Sequence, residues 1–260
     1  MKKNYRKWKK SKLLIIFVLI FLSLLIITVI FGRKVYNHFK NDSGVADQNI
    51  DTSDFYHPLP QIASAPSSIL PTPAAPLPIN ALITIDFTSQ APFAVWDTLH
   101  EDTCEEASFL MVKHYLDKTP LGSAAEIDAD LRAMVDLETA NGYGPSISLE
   151  ELSKIAKDHY GLTGQIKTAT VENIETDIAA GRPVIVPAGG KLLGNPNFIA
   201  GGPNYHMLVI KGYDSAHFIT NDPGTRNGNN YVYTQPVLMN AIHNWNPGNI
   251  SDGPKVYIVF

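Results

Sequence analysis

Thr103-Cys104-Glu105-Glu106-Ala107-Ser108-Phe109-Leu110-Met111 is the stretch from which the organisation of this chain is best read. It opens with the S/T-x-x-E pattern of a helix capping box, Thr103 to Glu106, so a helix is expected to start at Cys104. Ala107, Leu110, Met111, His114 and Tyr115 continue at helical spacing, and Pro120 stands just past the expected end. Cys104 is the only cysteine in 260 residues, which excludes an internal disulfide and a cysteine-rich zinc site. A lone cysteine is most often a small buried hydrophobe. In the first turn of a helix, however, unpaired backbone N–H groups and the helix dipole favour a thiolate. Glu105 and Glu106 oppose that effect, so a reactive thiolate here needs a histidine partner.

Downstream, two more capping boxes follow. Ser123 to Glu126 opens a helix with Ile127, Leu131, Met134 and Val135 on its apolar stripe and Gly142 at its end. Ser148 to Glu151 opens another, with Leu149, Leu152, Ile155, Ala156 and Tyr160 inside and Gly161 closing it. A short fourth helix is expected over Val171 to Ala180. Strands then dominate: Pro183 to Pro187, Met207 to Gly212, His217 to Asn221, Tyr231 to Thr234 and Val256 to Phe260, with a helical piece over Val237 to His243. Helices first and strands second predict an α+β fold with an antiparallel sheet, not a doubly wound parallel one.

Upstream, Leu13 to Phe31 is an apolar run of 19 residues broken only by Ser23 and Thr28. At 1.5 Å per residue such a run spans a hydrocarbon core of about 30 Å. It is longer than a signal-peptide core and ends without a small-x-small cleavage site, so an uncleaved transmembrane helix is expected. Lys2, Lys3, Arg6, Lys7, Lys9, Lys10 and Lys12 outweigh Arg33 and Lys34, which keeps the N-terminus cytoplasmic. The expected organisation is a basic tail over 1–12, an anchor over 13–31, an extracytoplasmic tether over 32–80 and one domain over 81–260. The tether carries seven prolines between Pro58 and Pro78 and reads as an extended spacer. The net charge of −4 gives no reason to expect nucleic acid.

Three regions offer a base for Cys104. His100 precedes it in a loop, His114 lies in the same expected helix, and His206 begins Tyr205-His206-Met207-Leu208-Val209-Ile210 after a Gly-rich loop. A histidine at a strand start is more often structural, but Phe218-Ile219-Thr220-Asn221-Asp222-Pro223-Gly224 ends the next strand with a carboxylate. A hairpin would bring Asp222 near the imidazole, where it could orient the ring. Side chains alternate faces along a strand, and opposed residues of an antiparallel pair share a face. His206 and Asp222 therefore meet only if opposed residue numbers sum to an even value. A two-residue turn at Asp214-Ser215, the commonest hairpin length, gives an odd sum. An odd-length connection or a bulge is thus expected. Otherwise Asn221 would replace Asp222.

Taken in order, the Cys104 segment, Tyr205-His206-Met207-Leu208-Val209-Ile210-Lys211-Gly212-Tyr213-Asp214 and Phe218 to Gly224 resemble papain-like cysteine peptidases related to the double-glycine, bacteriocin-leader-processing type. Arg182-Pro183-Val184-Ile185-Val186 adds to the likeness, which covers about residues 85–260. The resemblance implies a papain-like fold, a helix carrying Cys104 packed on a sheet carrying His206 and Asp222. It implies acyl transfer through a thioester on a peptide or protein substrate, with no cofactor and no metal. It also assigns Gln90 to the oxyanion hole beside the Cys104 N–H, with Phe93 to Thr98 as an inserted loop. Read alone, Gln90 is equally an exposed loop glutamine. Because the domain is expected to face outward and the chain has no ATPase segment, leader processing is not carried over.

Other signals are bland. There is no P-loop, dinucleotide fingerprint or metal-ligand cluster in the sequence. Gly189-Gly190 and Gly201-Gly202-Pro203 bracket a loop that could gate a cleft at His206. Trp96, Trp245 and Tyr231 to Tyr233 read as core. Two other functions compete with a surface peptidase: a cell-wall amidase of the NlpC type and a papain-like module that binds without turnover.

Overall fold

The computed structural model describes residues 76–260, so the expected tail 1–12, anchor 13–31 and most of the tether lie outside the described residues. None of the described helices is long and apolar enough to cross a membrane. The described chain is α+β. Its helices are α1 (Cys104–Asp117), α2 (Ala124–Ala140), α3 (Leu149–Tyr160), α4 (Val171–Ala179) and α5 (Gln235–Ala241). Its strands are β1 (Ala81–Leu82), β2 (Gln165–Thr168), β3 (Val184–Ala188), β4 (His206–Tyr213), β5 (His217–Asn221), β6 (Tyr231–Thr234) and β7 (Val256–Val259). They form one seven-stranded sheet in the order β2-β7-β3-β4-β5-β6, with β1 against the far end of β4. Every pairing is antiparallel.

The local reasons for the helices are visible at their ends. Ser123 and Ser148 each accept from the backbone N–H three residues on, and Glu126 and Glu151 each return a carboxylate to the serine N–H, two complete capping boxes. Gly161 closes α3 in the left-handed region at φ 70°. α5 starts two residues before the expected position because the Thr234 side chain accepts from Val237 N and Pro236 occupies the first turn.

The first capping box does not form. Thr103 Oγ1 donates to Gln90 O at 3.1 Å instead of capping α1, and Glu106 is buried. The cause is tertiary. α1 is buried on every side from Cys104 to Val112, so Thr103 and Glu106 at its N-terminus meet other chain segments rather than each other. Phe109, Met111 and Val112 are fully enclosed, and α1 lies against β3 and β4. A helix buried all round belongs at the centre of a core.

The β4–β5 hairpin resolves the parity question. Its turn is a two-residue one, Ser215-Ala216, closed by Asp214 N donating to His217 O at 3.0 Å. Tyr213 therefore opposes Phe218 and Gly212 opposes Ile219, an odd sum. Between Ile210 and Gly212 the register shifts, and Ile210 opposes Thr220 and Val209 opposes Asn221, an even sum. Lys211 is the extra residue, a β-bulge. The bulge falls where β4 leaves β3 and takes β1 as neighbour, and Ile83 N donates to Lys211 O at 2.7 Å there.

Candidate active site

Below the bulge, the even register sets Leu208 opposite Asp222 and His206 one same-face step away. His206 Nε2 and Asp222 Oδ1 are 2.7 Å apart, with the side chains 1% and 0% exposed. Asp222 Oδ1 also accepts from Gly224 N at 3.0 Å. Asp222 Oδ2 accepts from Tyr233 OH at 2.6 Å and from Asn195 Nδ2 at 3.2 Å. Burial pushes Asp222 up, but the His206 ring and the hydrogen bonds from His206, Tyr233 and Gly224 N outweigh it and hold the carboxyl below its ordinary value. An ionised Asp222 can only accept, so the network assigns the proton to His206 Nε2 and leaves Nδ1 as the basic nitrogen.

The ring is enclosed by two close neighbours. Phe198, on the loop between β3 and β4, packs edge-on to it at 5.3 Å between centroids. Gly224 lies so near that an added Cβ would stand 2.8 Å from His206 Cε1, so a side chain there would displace the imidazole.

Cys104 is the first residue of α1 and is 4% exposed. Met207 N donates to Cys104 Sγ at 3.4 Å, which sets the sulfur against the backbone immediately after His206. The thiol itself donates to Glu105 Oε2 at 2.8 Å. Among the described residues no hydrogen bond joins Cys104 Sγ to His206, so the expected pairing of the second ring nitrogen with the thiol is not present in this conformation. Burial, then the charge of Glu105 and its hydrogen bond, push the Cys104 thiol well above its ordinary value, while the Met207 N–H works against them.

Glu105 is one of three buried glutamates. Burial raises Glu105 to about 8, and Ile147 N reaches its Oε1 at 3.4 Å. Glu106 is pushed well above its ordinary value by burial and by Glu138 and Glu105. Glu138, from α2, is raised by burial to about 7. Glu106 Oε2 and Glu138 Oε1 have no hydrogen-bond partner. Buried carboxyls without a cation take up protons rather than remain ionised. A protonated Glu105 does not repel a thiolate, so these acids oppose thiolate formation less at neutral pH than their formal charges suggest.

Gln90 is buried, not an exposed loop residue. It stands beside the site, since its N–H donates to Pro223 O at 3.0 Å, next to Asp222, and its carbonyl accepts from Thr103 Oγ1. Its side-chain Nε2 donates to His100 O at 2.8 Å and to Glu101 O at 3.1 Å, while Oε1 is buried without a partner. Both amide hydrogens are thus engaged, and an oxyanion role requires the amide to leave one carbonyl. His100, the first alternative base, is held elsewhere: its ring nitrogens contact Asp97 Oδ1 and Asp128 Oδ1, each at 2.7 Å. His114 bonds Thr119 Oγ1 at the far end of α1. A surface cavity of about 380 Å³ beside that end, between Thr84–Asp86 and Lys118–Pro120, does not include Cys104, His206 or Asp222.

Three participants escaped the sequence reading: Asn195, Tyr233 and Glu138. Strand parity could have found Tyr233. It opposes Phe218, and Phe218, Thr220 and Asp222 share a face. Asn195 sits in an irregular loop and Glu138 on a separate helix, and neither carries a local signal.

The model of the peptidase C39-like family matches residues 82–249. Among solved structures, the crystal structure of a C39-like peptidase candidate from Bacillus anthracis is similar, at 14% identity and a TM-score of 0.45, covering 68% of this chain and 96% of that one. No curated protein matches the chain.

Proposed function

This chain belongs to the peptidase C39-like family, and we propose that it is a cysteine peptidase with Cys104 as nucleophile, His206 as base and Asp222 as its orienter, anchored in the membrane by the apolar run over 13–31 and acting outside the cell. The observation that carries the reading is the 2.7 Å bond between Asp222 and His206 in the strand whose next residue, Met207, touches the Cys104 sulfur.

The chemistry follows from that layout. The Cys104 side chain turns from Glu105 toward His206 Nδ1, which takes the thiol proton. The thiolate attacks the substrate carbonyl carbon, and its oxygen gains negative charge near the Cys104 N–H at the start of α1, where backbone donors lack intrahelical partners. The imidazolium returns the proton to the departing amine as the C–N bond breaks, leaving a thioester. Water, deprotonated by the same nitrogen, cleaves the thioester and restores the thiol. Asp222 stays ionised and stabilises the imidazolium. His206 is 1% and Cys104 4% exposed, and Phe198 packs against the His206 ring, so opening of the Phe198 loop would widen access to the base.

A thiol-directed probe offered to folded and denatured protein tests the reading. Faster modification of Cys104 in the folded state supports an enzyme. A second reading, a papain-like module that binds without turnover, is favoured by one observation, the thiol's hydrogen bond to Glu105 in place of His206. It would show no preference for the folded state. Digestion of a peptide library beside peptidoglycan then identifies the bond cleaved.

A further inference from the structure

Asp222 has two carboxylate oxygens, and only one serves His206. Oδ2 is bound by Tyr233 OH at 2.6 Å and by Asn195 Nδ2 at 3.2 Å, and Asn195 Nδ2 also donates to Tyr233 OH at 2.7 Å. The three groups form a closed triangle in which Asn195 is 3%, Tyr233 4% and Asp222 0% exposed. Neither partner is free to drift. Tyr233 stands on β6 with its ring against Tyr231, 4.8 Å between centroids. Asn195 Oδ1 accepts from Asn197 N at 3.0 Å and from Asn197 Nδ2 at 3.1 Å, which fixes its amide with the nitrogen toward Asp222.

We propose that Tyr233 and Asn195 are positioning residues, which pin Oδ2 of Asp222 so that Oδ1 stays aligned on His206 Nε2 and keeps the other ring nitrogen free to act as base. A carboxylate held by one oxygen alone can rotate about its Cβ–Cγ bond and exchange oxygens. Holding both removes that freedom, and a charge-assisted hydrogen bond is the strong kind. Burial and the Asp222 charge raise the Tyr233 hydroxyl, so it remains a donor. Asn195 belongs to the same loop as Phe198, so the segment that covers His206 also grips its carboxylate partner. Movement of that loop therefore loosens one of the two ties on Asp222 and leaves the Tyr233 tie in place.

The inference rests on the proposed peptidase reading for its purpose but not for its test. The His206 Nε2 proton, held by a buried carboxylate, gives a downfield proton NMR resonance that can be followed in the full chain without substrate. Tyr233→Phe keeps the ring and removes the donor. Asn195→Ala removes the other. Each is expected to shift or broaden that resonance while the melt stays cooperative. Each is also expected to slow iodoacetamide modification of folded Cys104 by about ten- to a hundredfold, the scale of one lost hydrogen bond to a charged group. An unchanged resonance in both variants overturns the proposal and leaves the triangle as packing. A shifted resonance with Cys104 inert even in the parent protein upholds the positioning and overturns the peptidase reading instead.

Discussion

His206 Nε2 and Asp222 Oδ1 stand 2.7 Å apart across a hairpin whose turn, taken alone, would put them on opposite faces of the sheet. The turn at Ser215-Ala216 sets an odd register, and the one extra residue at Lys211 makes it even before the strands reach His206 and Asp222. The bulge is anchored by its carbonyl, which accepts from Ile83 N, and the Lys211 ammonium lies 3.4 Å from Ile85 O. Asn221 Nδ2 reaches that same Ile85 O at 3.3 Å, so both strands of the hairpin are tied to the segment after β1.

Deleting Lys211 is expected to leave His206 beside Asp222. Without the extra residue Ile210 adjoins Gly212, and regular pairing from Gly212 opposite Ile219 puts Ile210 opposite Thr220 and Val209 opposite Asn221, the partners they already have, so Asp222 stays on the face of His206. Lys211→Ala keeps the residue count and is expected to keep the pair. NMR of the His206 ring protons in both variants decides this, and a folded deletion variant that loses the downfield signal refutes the parity account.

Cys104→Ala is expected to abolish turnover and probe labelling while costing about 1 kcal/mol or less, a melt shift of roughly 2–4 °C at most. A loss of much more stability would show that the thiol matters to the core rather than to chemistry. Glu105→Gln should act in a pH-dependent way. Below about 8 Glu105 is already neutral, so alkylation of Cys104 should change little. Above it the native carboxylate repels the thiolate and glutamine does not, so the variant should react faster. Equal rates across the range would remove Glu105 from any influence on the thiol.

The buried carboxyls predict how stability varies with pH. Glu105 and Glu138 are raised from 4.5 to about 8 and about 7 in the folded state. Between those limits the unfolded chain has released the protons that the folded chain still holds. Stability therefore falls as pH rises through that window, by at most about 1.4 kcal/mol per pH unit per group. Asp222 and Asp177, both lowered, act in the opposite sense but only at more acid pH. Denaturant melts across the window should show the decline, and Glu138→Gln should flatten it. A parent protein that gains stability over the same range contradicts the sign.

The proposed topology gives a cellular test. Protease added to intact cells is expected to release a soluble fragment by cutting in the Pro/Ala/Ser stretch before residue 80. A domain that stays protected reverses the orientation, and spontaneous release near Phe31 would point to a cleaved signal sequence.

Local pattern reached far in this chain because most of its elements are specified locally. Capping boxes at Ser123 and Ser148, left-handed closure at Gly161 and short, almost continuously buried runs at His206–Tyr213 and His217–Asn221 each involve residues within a few positions of one another. The order Cys104, His206, Asp222 was legible for the same reason, since a helix start, a strand start and a strand end are local features. Parity arithmetic could state that a correction was required between His206 and Asp222. It could not place that correction at Lys211, because the bulge sits where β4 changes neighbours from β3 to β1, and that exchange depends on distant strands. Thr103 shows the opposite failure: its box is locally correct but is overruled by Gln90, thirteen residues away, once α1 is buried. The Glu105–Glu106–Glu138 group, the Tyr233–Asn195 hold on Asp222 and the thiol's choice of Glu105 exist only in three dimensions. All depend on desolvation, and the hold on Asp222 also on donors from separate elements; burial, which decides whether a carboxyl keeps its charge, is a property of the packed chain rather than of any stretch of it.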